Sequence, residues 1–412
     1  MSYILTEKVK SWIQQSVSTE KCIITVENTT QKGEGYIGEF IFAKVELQSS
    51  EGMVSDDKTL FIALKRNNQN PAVKKQFPVM HELCRREVYL YGVIIPAYQK
   101  FHKTKTLQDD YYIVPKCYKA FLEGENNVVV LENLKRKGYV LHQREKSMNS
   151  DQIKLCLKSY AKFHGMAFAM RDQTPEEFKM ISKDLHPLMR VAFANFKPVF
   201  DSKSIAIVDT LREAGREDLS ARFEKYNREQ SIFDRAIEIA DATPDEKVII
   251  HGDCHNANML FRFKDNARSN PQHVALIDFQ VTCLHSPILD ISAFLYLNLS
   301  SEEFPQLKFF LDFYYSELSS YLKELGSDVN KLFPKQVMQS HLKQFLHYGF
   351  CLAVPFLEIM YVDNEDAPPL IDEETNEIMG GLKDLKLKSR DEYLRRLVSM
   401  VDSFFNSGYV NL

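Results

Sequence analysis

The chain has 412 residues, 44 % of them hydrophobic and 26 % charged, which is the composition of a globular protein too long for one simple core. The formal net charge of −4 is small for this length and argues against nucleic-acid binding as the main function. The seven cysteines include no Cys-x-x-Cys pair, which disfavours a disulfide framework or a structural zinc site and favours reduced thiols.

The sequence shows no pattern typical of a secretory signal or of a membrane span. Residues 1–16 have apolar residues at helical spacing but no continuous apolar run after a basic start. The most membrane-like stretch, 345–360, contains His347, Pro355 and Glu358 and is too short to cross a bilayer. We therefore expect a cytoplasmic protein in which this stretch is a buried core helix.

The first third of the sequence predicts a small antiparallel sheet that carries one helix. Residues 78–90 place Val79, Leu83, Val88 and Leu90 among charged residues, which is typical of an amphipathic helix. Five segments have the β-branched and aromatic composition of strands: 22–27, 39–46, 59–65, 111–115 and 127–131.

After residue 132 the sequence changes to longer and mostly helical segments. The first of these helices is expected to begin at Ser150 or Asp151 and to reach residue 170. The segments that follow are helical at 174–241, strand-like at 248–263 and 273–279, and largely helical from residue 288. This order predicts an α+β fold with two lobes: a sheet-based N-lobe at 1–132 and a larger, mostly helical C-lobe at 133–412.

The strongest functional signal is a pair of polar segments that each follow an apolar strand. The segment His-Gly-Asp-Cys-His-Asn-Ala-Asn at 251–258 places Asp253 and Asn258 at Asp-x4-Asn spacing, and Asp278 follows 20 residues after Asn258. Phosphoryl transfer needs a carboxylate that orients the attacking hydroxyl, and hard oxygen ligands that hold Mg²⁺. We predict Asp253 as the catalytic residue, and Asn258 and Asp278 as the metal ligands.

A glycine-rich segment lies between the first two predicted strands. Gly33, Gly35 and Gly38 have the Gly-x-Gly-x-x-Gly spacing, but no helix follows them, which argues against a dinucleotide-binding fold. Between two strands the same spacing fits a loop that folds over nucleotide phosphates, because the missing side chains allow the backbone to approach closely. A plain hairpin loop is the alternative.

Four further residues complete a predicted ATP site. Lys65 ends the third strand and is expected to pair with the phosphates, while Glu87 in the following helix is expected to hold it by an ion pair. The sequence leaves Glu82 open as the alternative partner. Where the chain leaves the N-lobe, Glu132 and Leu134 are expected to offer backbone groups to adenine.

These motifs resemble kinases of the choline-kinase and aminoglycoside-phosphotransferase type, and within that group the ecdysteroid kinase-like family. The resemblance covers nearly the whole chain. It rests on Val-Val-Leu-Glu-Asn-Leu at 129–134, Ala-Lys-Phe-His at 161–164, the His-Gly-Asp loop, Leu-Ile-Asp-Phe-Gln at 276–280 and Ser-Pro-x-x-Asp at 286–290. The chain departs from the usual family pattern at Cys254 and His255, where a Trp or another bulky residue is common, but it keeps Asn258.

The resemblance implies a protein kinase-like fold, with ATP and Mg²⁺ as cofactors and a small-molecule alcohol as acceptor. Ecdysteroids are the leading acceptor class, and the family is linked to detoxification of foreign compounds. A choline- or aminoglycoside-type acceptor is the alternative. We expect no nucleic-acid partner, no membrane span and no obligate protein partner.

Other functions are less consistent with the sequence. A protein kinase would carry Arg where Gly252 stands, and only eleven residues separate Asp278 from Asp290, which leaves no room for a long peptide-binding segment. A metal-dependent hydrolase with zinc on His251, Asp253 and His255 would leave Asn258 and the predicted N-lobe unexplained. A non-catalytic binding protein on the same fold is expected to have lost one of the four key residues, which are all present: Lys65, Asp253, Asn258 and Asp278.

Overall fold

The computed structural model describes residues 5–19, 21–29, 38–48, 54–68, 71–107, 111–143, 146–265, 267–362, 371 and 385–410. Its N-lobe is built on a five-stranded antiparallel sheet with the spatial order β1-β2-β3-β5-β4. The strands are β1 (Cys22–Thr29), β2 (Gly38–Gln48), β3 (Val54–Asn67), β4 (Cys117–Glu123) and β5 (Asn126–Glu132).

Alternation along these strands separates the two faces of the sheet. Ile41, Ile62 and Val130 point to one face, where they pack against Trp12 of helix α1 (Glu7–Ser16). The opposite face faces the C-lobe and carries Lys65, because side chains alternate along a strand and Leu64 lies in the buried cluster under α1. The sheet therefore gives the predicted phosphate-binding lysine a rigid base.

The helix predicted at 78–90 is present and is longer than predicted. It follows α2 (Pro71–Gln76) and consists of α3 (Met80–Tyr89), a π-helical turn (Leu90–Ile94) and α4 (Ile95–Lys103). Its first part buries Leu83, Glu87 and Val88, which explains the amphipathic pattern.

The strand predicted at 111–115 is wrong. This segment has no ladder, although Tyr111, Ile113 and Val114 are buried. Two of its carbonyls make separate bonds to the C-lobe, with Leu276 N donating to Ile113 O at 2.8 Å and His273 Nε2 2.7 Å from Tyr112 O. Its apolar character therefore reflects burial in an irregular connection, and the missing strand of the sheet is β4.

The C-lobe is mostly helical, as predicted, and its strands form two small sheets, β6-β8-β9 and β7-β10. The strands are β6 (Tyr139–Leu141), β7 (Val248–Ile250), β8 (Met259–Phe263), β9 (Pro271–Leu276) and β10 (Cys283–His285). The helices are α5 (Ser150–Gln173), α6 (Pro175–Ser182), α7 (Met189–Ala192), α8 (Lys197–Glu213), α9 (Glu217–Glu229), α10 (Ile232–Asp241), α11 (Pro287–Asn298), α12 (Leu307–Glu324), α13 (Val329–Leu332), α14 (Lys335–Phe356) and α15 (Arg390–Phe405).

Two helices at the centre of the C-lobe support the strand ends that carry the predicted site. Helix α5 begins at a capping box in which Asn149 and Gln152 exchange side-chain and backbone hydrogen bonds. Helix α11 is buried along its whole length and crosses α14 so closely that a Cβ on Gly349 would lie 2.2 Å from the Ser292 carbonyl. As predicted, the stretch 345–360 is mostly buried helix: it comprises the second half of α14 and most of the short 3₁₀ turn that follows it. No helix in the described part of the chain is long and apolar enough to cross a bilayer.

Candidate active site

The two predicted metal ligands lie at the same edge of the β6-β8-β9 sheet. Met259 of β8 is paired with Leu276 of β9, and beyond this pair Ile277 N donates to Asn258 O at 3.1 Å. Asn258 immediately precedes β8 and Asp278 follows β9 by two residues, so the antiparallel pairing brings them to one place. Asp278 has a φ of 65°, a left-handed conformation that is uncommon for a residue other than glycine and is typical of functional sites.

Asn258 is oriented by the predicted catalytic residue. Its Nδ2 donates to Asp253 Oδ2 and to Asp253 O, each at 3.0 Å. With the amide nitrogen used in this way, Oδ1 is the atom of Asn258 suited to a cation.

The Asp253 carboxylate is available to a substrate and is ionised at neutral pH. Its side chain is 43 % exposed and its Oδ2 lies 3.4 Å from His255 Nε2. Burial of part of the group acts against ionisation, but His255, His251 and the hydrogen bond from Asn258 hold the pKa of Asp253 at about 2. The group can therefore align a hydroxyl and accept a proton from it in the transition state.

The loop that carries Asp253 is braced from behind by a buried carboxylate. Asp290 accepts hydrogen bonds from His251 N at 2.7 Å and Gly252 N at 2.8 Å, and it lies 3.0 Å from His164 Nε2. His164 in turn is 2.8 Å from the Tyr314 hydroxyl and is fully buried. Both side chains are fully buried, so they support the loop from behind.

Gly252 is required by the shape of this loop. Its φ is 87°, and a Cβ at this position would lie 2.7 Å from Val281 O. We expect Gly252→Ala to lower the free energy of unfolding by about 2–4 kcal/mol, from the left-handed backbone and the steric clash together. Gly138→Ala is the matched control, because its φ is 78° and nothing lies within 4 Å of the added Cβ. Urea unfolding should show a loss of only about 1 kcal/mol for the control, and equal losses in both variants would contradict the clash.

Lys65 lies between two carboxylates. Its Nζ is 2.8 Å from Glu87 Oε2 and 2.8 Å from Asp278 Oδ1. Burial alone would lower the pKa of Lys65, but Asp278 and Glu87 outweigh it and raise the pKa above its ordinary value. Burial raises the pKa of Glu87 to about 7, against the effect of the Lys65 ammonium. The lysine is thus charged, and its ammonium group lies directly beside Asp278, one of the two predicted metal ligands.

The alternative between Glu87 and Glu82 is resolved by these contacts. Glu82 points elsewhere and pairs with Arg85 at 2.6 Å. Gln280 also joins the group around Lys65. With its amide nitrogen facing Asp278, it donates to Asp278 Oδ1 at 3.1 Å and accepts from Lys65 Nζ at 3.3 Å.

One of the three predicted loop glycines can be placed. Gly38 packs against Lys65, since a Cβ on it would lie 2.8 Å from Lys65 Cε. Gly33 and Gly35 lie outside the described residues, so the phosphate-binding loop stays a prediction.

The predicted adenine-binding segment connects the two lobes. Glu132 N donates to Lys116 O at 2.8 Å, so an adenine contact at Glu132 would have to use another of its groups. The Glu132 side chain accepts from the Tyr112 hydroxyl at 2.9 Å. Leu134 is buried in an apolar cluster with Leu260 of β8.

The sequence analysis missed two residues that contact predicted residues of the ATP site. Phe40 is the direct cross-strand partner of Lys65, so it lies on the same face of the sheet, and Lys65 Nζ is 5.5 Å from its ring centroid. Leu260 follows Asn258 by two residues and packs against Leu134. The alternation of β2 and the position of Leu260 at the start of β8 could have indicated both.

A small antiparallel sheet and a larger helical lobe thus bring a lysine, an asparagine and three carboxylates together. The model of the ecdysteroid kinase-like family matches residues 32–327, which is most of the chain. The chain therefore belongs to the ecdysteroid kinase-like family, as its motifs indicated.

Several solved structures are similar to this chain at low sequence identity. The ethanolamine kinase of Plasmodium vivax is 14 % identical, with 99 % of this chain and 92 % of that chain covered and a TM-score of 0.40. A GDP complex of a mutant aminoglycoside 2′-phosphotransferase IIIa is 11 % identical, with 86 % and 90 % covered and a TM-score of 0.40. A choline/ethanolamine kinase family protein from Mesorhizobium loti is 12 % identical, with 97 % and 100 % covered and a TM-score of 0.34. No curated protein is similar enough to the sequence to count as a match.

Proposed function

We propose that this protein is an ATP- and Mg²⁺-dependent kinase that phosphorylates a hydroxyl group of a small molecule. The observation that carries the proposal is the position of Lys65, 2.8 Å from both Glu87 and Asp278. Asp278 lies at one sheet edge with Asn258, which is hydrogen-bonded to Asp253. A phosphate-binding cation, two oxygen ligands and a base are thus assembled from both lobes.

The donor set fits Mg²⁺. Asp278 offers a carboxylate and Asn258 an amide oxygen, both of the hard oxygen type that this ion prefers. Asp278 is 29 % exposed at its side chain, so a cation can reach it from solvent. When bound there, Mg²⁺ would offset the negative charge of the nucleotide phosphates.

Each remaining residue has a role in positioning the nucleotide. Lys65 would hold phosphate oxygens, and the segment from Gly33 to Gly38 would cover them. Adenine would lie between the Phe40 side of the sheet and the connecting segment at 132–134.

Asp253 would act on the acceptor. The hydroxyl oxygen forms a bond to the γ-phosphorus as the bond from that phosphorus to the β–γ bridging oxygen breaks. ADP leaves with the electron pair, and the hydroxyl proton passes to Asp253 and then to solvent. The contribution of Asp253 is alignment and proton acceptance, since the carboxylate is already ionised at neutral pH.

Family membership supports an ecdysteroid, or a related steroid or foreign alcohol, as the leading acceptor. A half-buried aromatic cluster in the C-lobe provides an apolar surface of suitable type. Phe196 lies 5.1 Å from Phe193 and 6.2 Å from Phe356 between ring centroids. Phe345, Tyr348 and Phe350 of α14 are fully buried and belong to the core, so they offer no surface to an acceptor.

The acceptor class is tested by incubating the protein with Mg·ATP and separate alcohols, followed by mass spectrometry. The panel contains ecdysteroids, hydroxylated plant compounds, choline, ethanolamine and aminoglycosides. We expect a product heavier by one phosphoryl group from the ecdysteroid or plant compounds, because the proposed surface is aromatic and uncharged. Preferred phosphorylation of choline or an aminoglycoside would replace this acceptor class with a cationic one.

A further inference from the structure

A buried arginine connects the helix that holds Lys65 to the segment that holds Asp278. Arg86 is the residue before Glu87 in α3, and it is only 2 % exposed. Its Nη1 donates to Thr282 O at 2.8 Å. Thr282 lies four residues after Asp278, so this single contact crosses from the N-lobe to the predicted metal site.

The connection continues to the catalytic loop. The Thr282 hydroxyl donates to Ile250 O at 2.5 Å, and Cys283 is paired with Ile250 between β10 and β7. Ile250 is the last residue before the segment that carries Asp253. Thr282 therefore links Arg86 to β7, the strand that leads into the catalytic loop.

Apolar packing alone does not fix how α3 is rotated against the C-lobe. Phe77 and Met80 pack with Val199 and Ile359 in a cluster between the lobes, but such contacts have no direction. Two hydrogen bonds from α3 to the C-lobe do have a direction: Arg86 donates to Thr282 O, and the Tyr89 hydroxyl donates to Ile181 O at 3.1 Å. Of the two donors, Arg86 is the one directly adjacent to Glu87. A rotation of α3 that breaks the bond to Thr282 O would therefore also displace Glu87 from Lys65.

The burial of Arg86 is poorly explained by stability. Its guanidinium reaches Glu82 only at 3.5 Å, from Nε to Oε1, which is the limit of a hydrogen bond. A buried guanidinium whose one close partner is a neutral carbonyl contributes little to stability, and its replacement by an apolar side chain of similar length is often tolerated.

We propose that Arg86 is a positioning residue that sets the rotation of α3 so that Glu87 and Asp278 meet at Lys65. This proposal rests on the proposed function, because it assigns Arg86 a role in assembling the Mg·ATP site. Arg86 acts through Glu87 and Thr282 and does not itself touch the nucleotide.

The test compares Arg86→Met with Arg85→Met as matched control. Arg85 is the neighbouring residue of α3, 42 % exposed at its side chain, and pairs with Glu82. Affinity for a non-hydrolysable ATP analogue is measured by calorimetry with Mg²⁺ and with EDTA. We expect Arg86→Met to lose about tenfold in affinity with Mg²⁺ and much less in EDTA, while Arg85→Met binds like the wild type.

Further measurements separate positioning from a merely structural role. Thermal unfolding is expected to be similar in both variants, and Arg86→Lys, which keeps one donor and the charge, is expected to recover part of the Mg²⁺-dependent affinity. If Arg86→Met does not fold, the Arg86→Lys variant carries the comparison. Wild-type Mg²⁺ dependence in the Arg86 variants would overturn the proposal, as would a loss that is equal with Mg²⁺ and with EDTA.

Nucleotide binding is measured independently of transfer, so the two proposals fail in different ways. In one outcome the wild type binds the Mg·nucleotide, Arg86→Met does not, and the wild type phosphorylates no alcohol. The proposed function then fails and the role of Arg86 stands. If the wild type phosphorylates an alcohol and Arg86→Met behaves like the wild type, the role of Arg86 fails. Absence of nucleotide binding in the folded wild type would overturn both.

Discussion

Asp253→Asn is expected to lower the rate of phosphoryl transfer by about 10²- to 10⁴-fold while leaving Mg·ATP affinity nearly unchanged. The substituted amide keeps the size of Asp253 and can still accept the hydrogen bond that Asn258 donates at 3.0 Å. It cannot accept a proton from the acceptor hydroxyl. The change should therefore appear in kcat and not in the affinity for nucleotide.

The measurement combines single-turnover transfer with calorimetric nucleotide binding. Asp265→Asn is a suitable control, because Asp265 lies in the turn before β9 and accepts from Ser269 N at 3.1 Å. This control should transfer phosphate at the wild-type rate. Wild-type turnover in Asp253→Asn would show that the carboxylate is not the group that acts on the acceptor.

Asp278→Asn is expected to raise the Mg²⁺ concentration needed for nucleotide binding by more than about 100-fold. The substitution removes the negative charge of the carboxylate from one of the two predicted metal ligands. It also removes an ion pair of 2.8 Å with Lys65, which leaves Glu87 as the remaining carboxylate beside the lysine. Affinity for nucleotide in EDTA should fall far less than affinity with Mg²⁺.

A titration with Mg²⁺ at fixed nucleotide concentration tests this expectation. The contrast with Asp253→Asn is informative, since one variant should lose metal-dependent binding and the other should lose transfer. An unchanged Mg²⁺ requirement in Asp278→Asn would remove Asp278 from the set of metal ligands.

The parts of the site that depend on local sequence could be predicted. Asp253 and Asn258 lie in one short loop, and their spacing alone places them within reach of each other. Asp278 could be added as a second polar residue at the end of an apolar strand, and it meets Asn258 because Asn258 precedes β8, the antiparallel neighbour of β9. The start of α5 was predicted correctly for a similar reason, since capping is a local interaction.

The parts that depend on packing between distant segments could not be predicted. Glu82 and Glu87 lie on the same helix, and only the docking of α3 against the sheet decides which of them meets Lys65. The contact between Arg86 and Thr282 joins residues 196 positions apart. The segment 111–115 has the composition of a strand, but its burial against the C-lobe, in an irregular connection between α4 and β4, is decided by tertiary structure.

The central claim is tested most directly by following Mg·ATP and an ecdysteroid acceptor with the wild-type protein by ³¹P nuclear magnetic resonance. The account predicts a phosphomonoester signal that grows in step with ADP, requires the acceptor and is lost in Asp253→Asn. Release of inorganic phosphate without a phosphomonoester would indicate a hydrolase. Unchanged ATP with every alcohol of the panel, in a folded protein that binds Mg·ATP, would contradict the assignment of a small-molecule kinase.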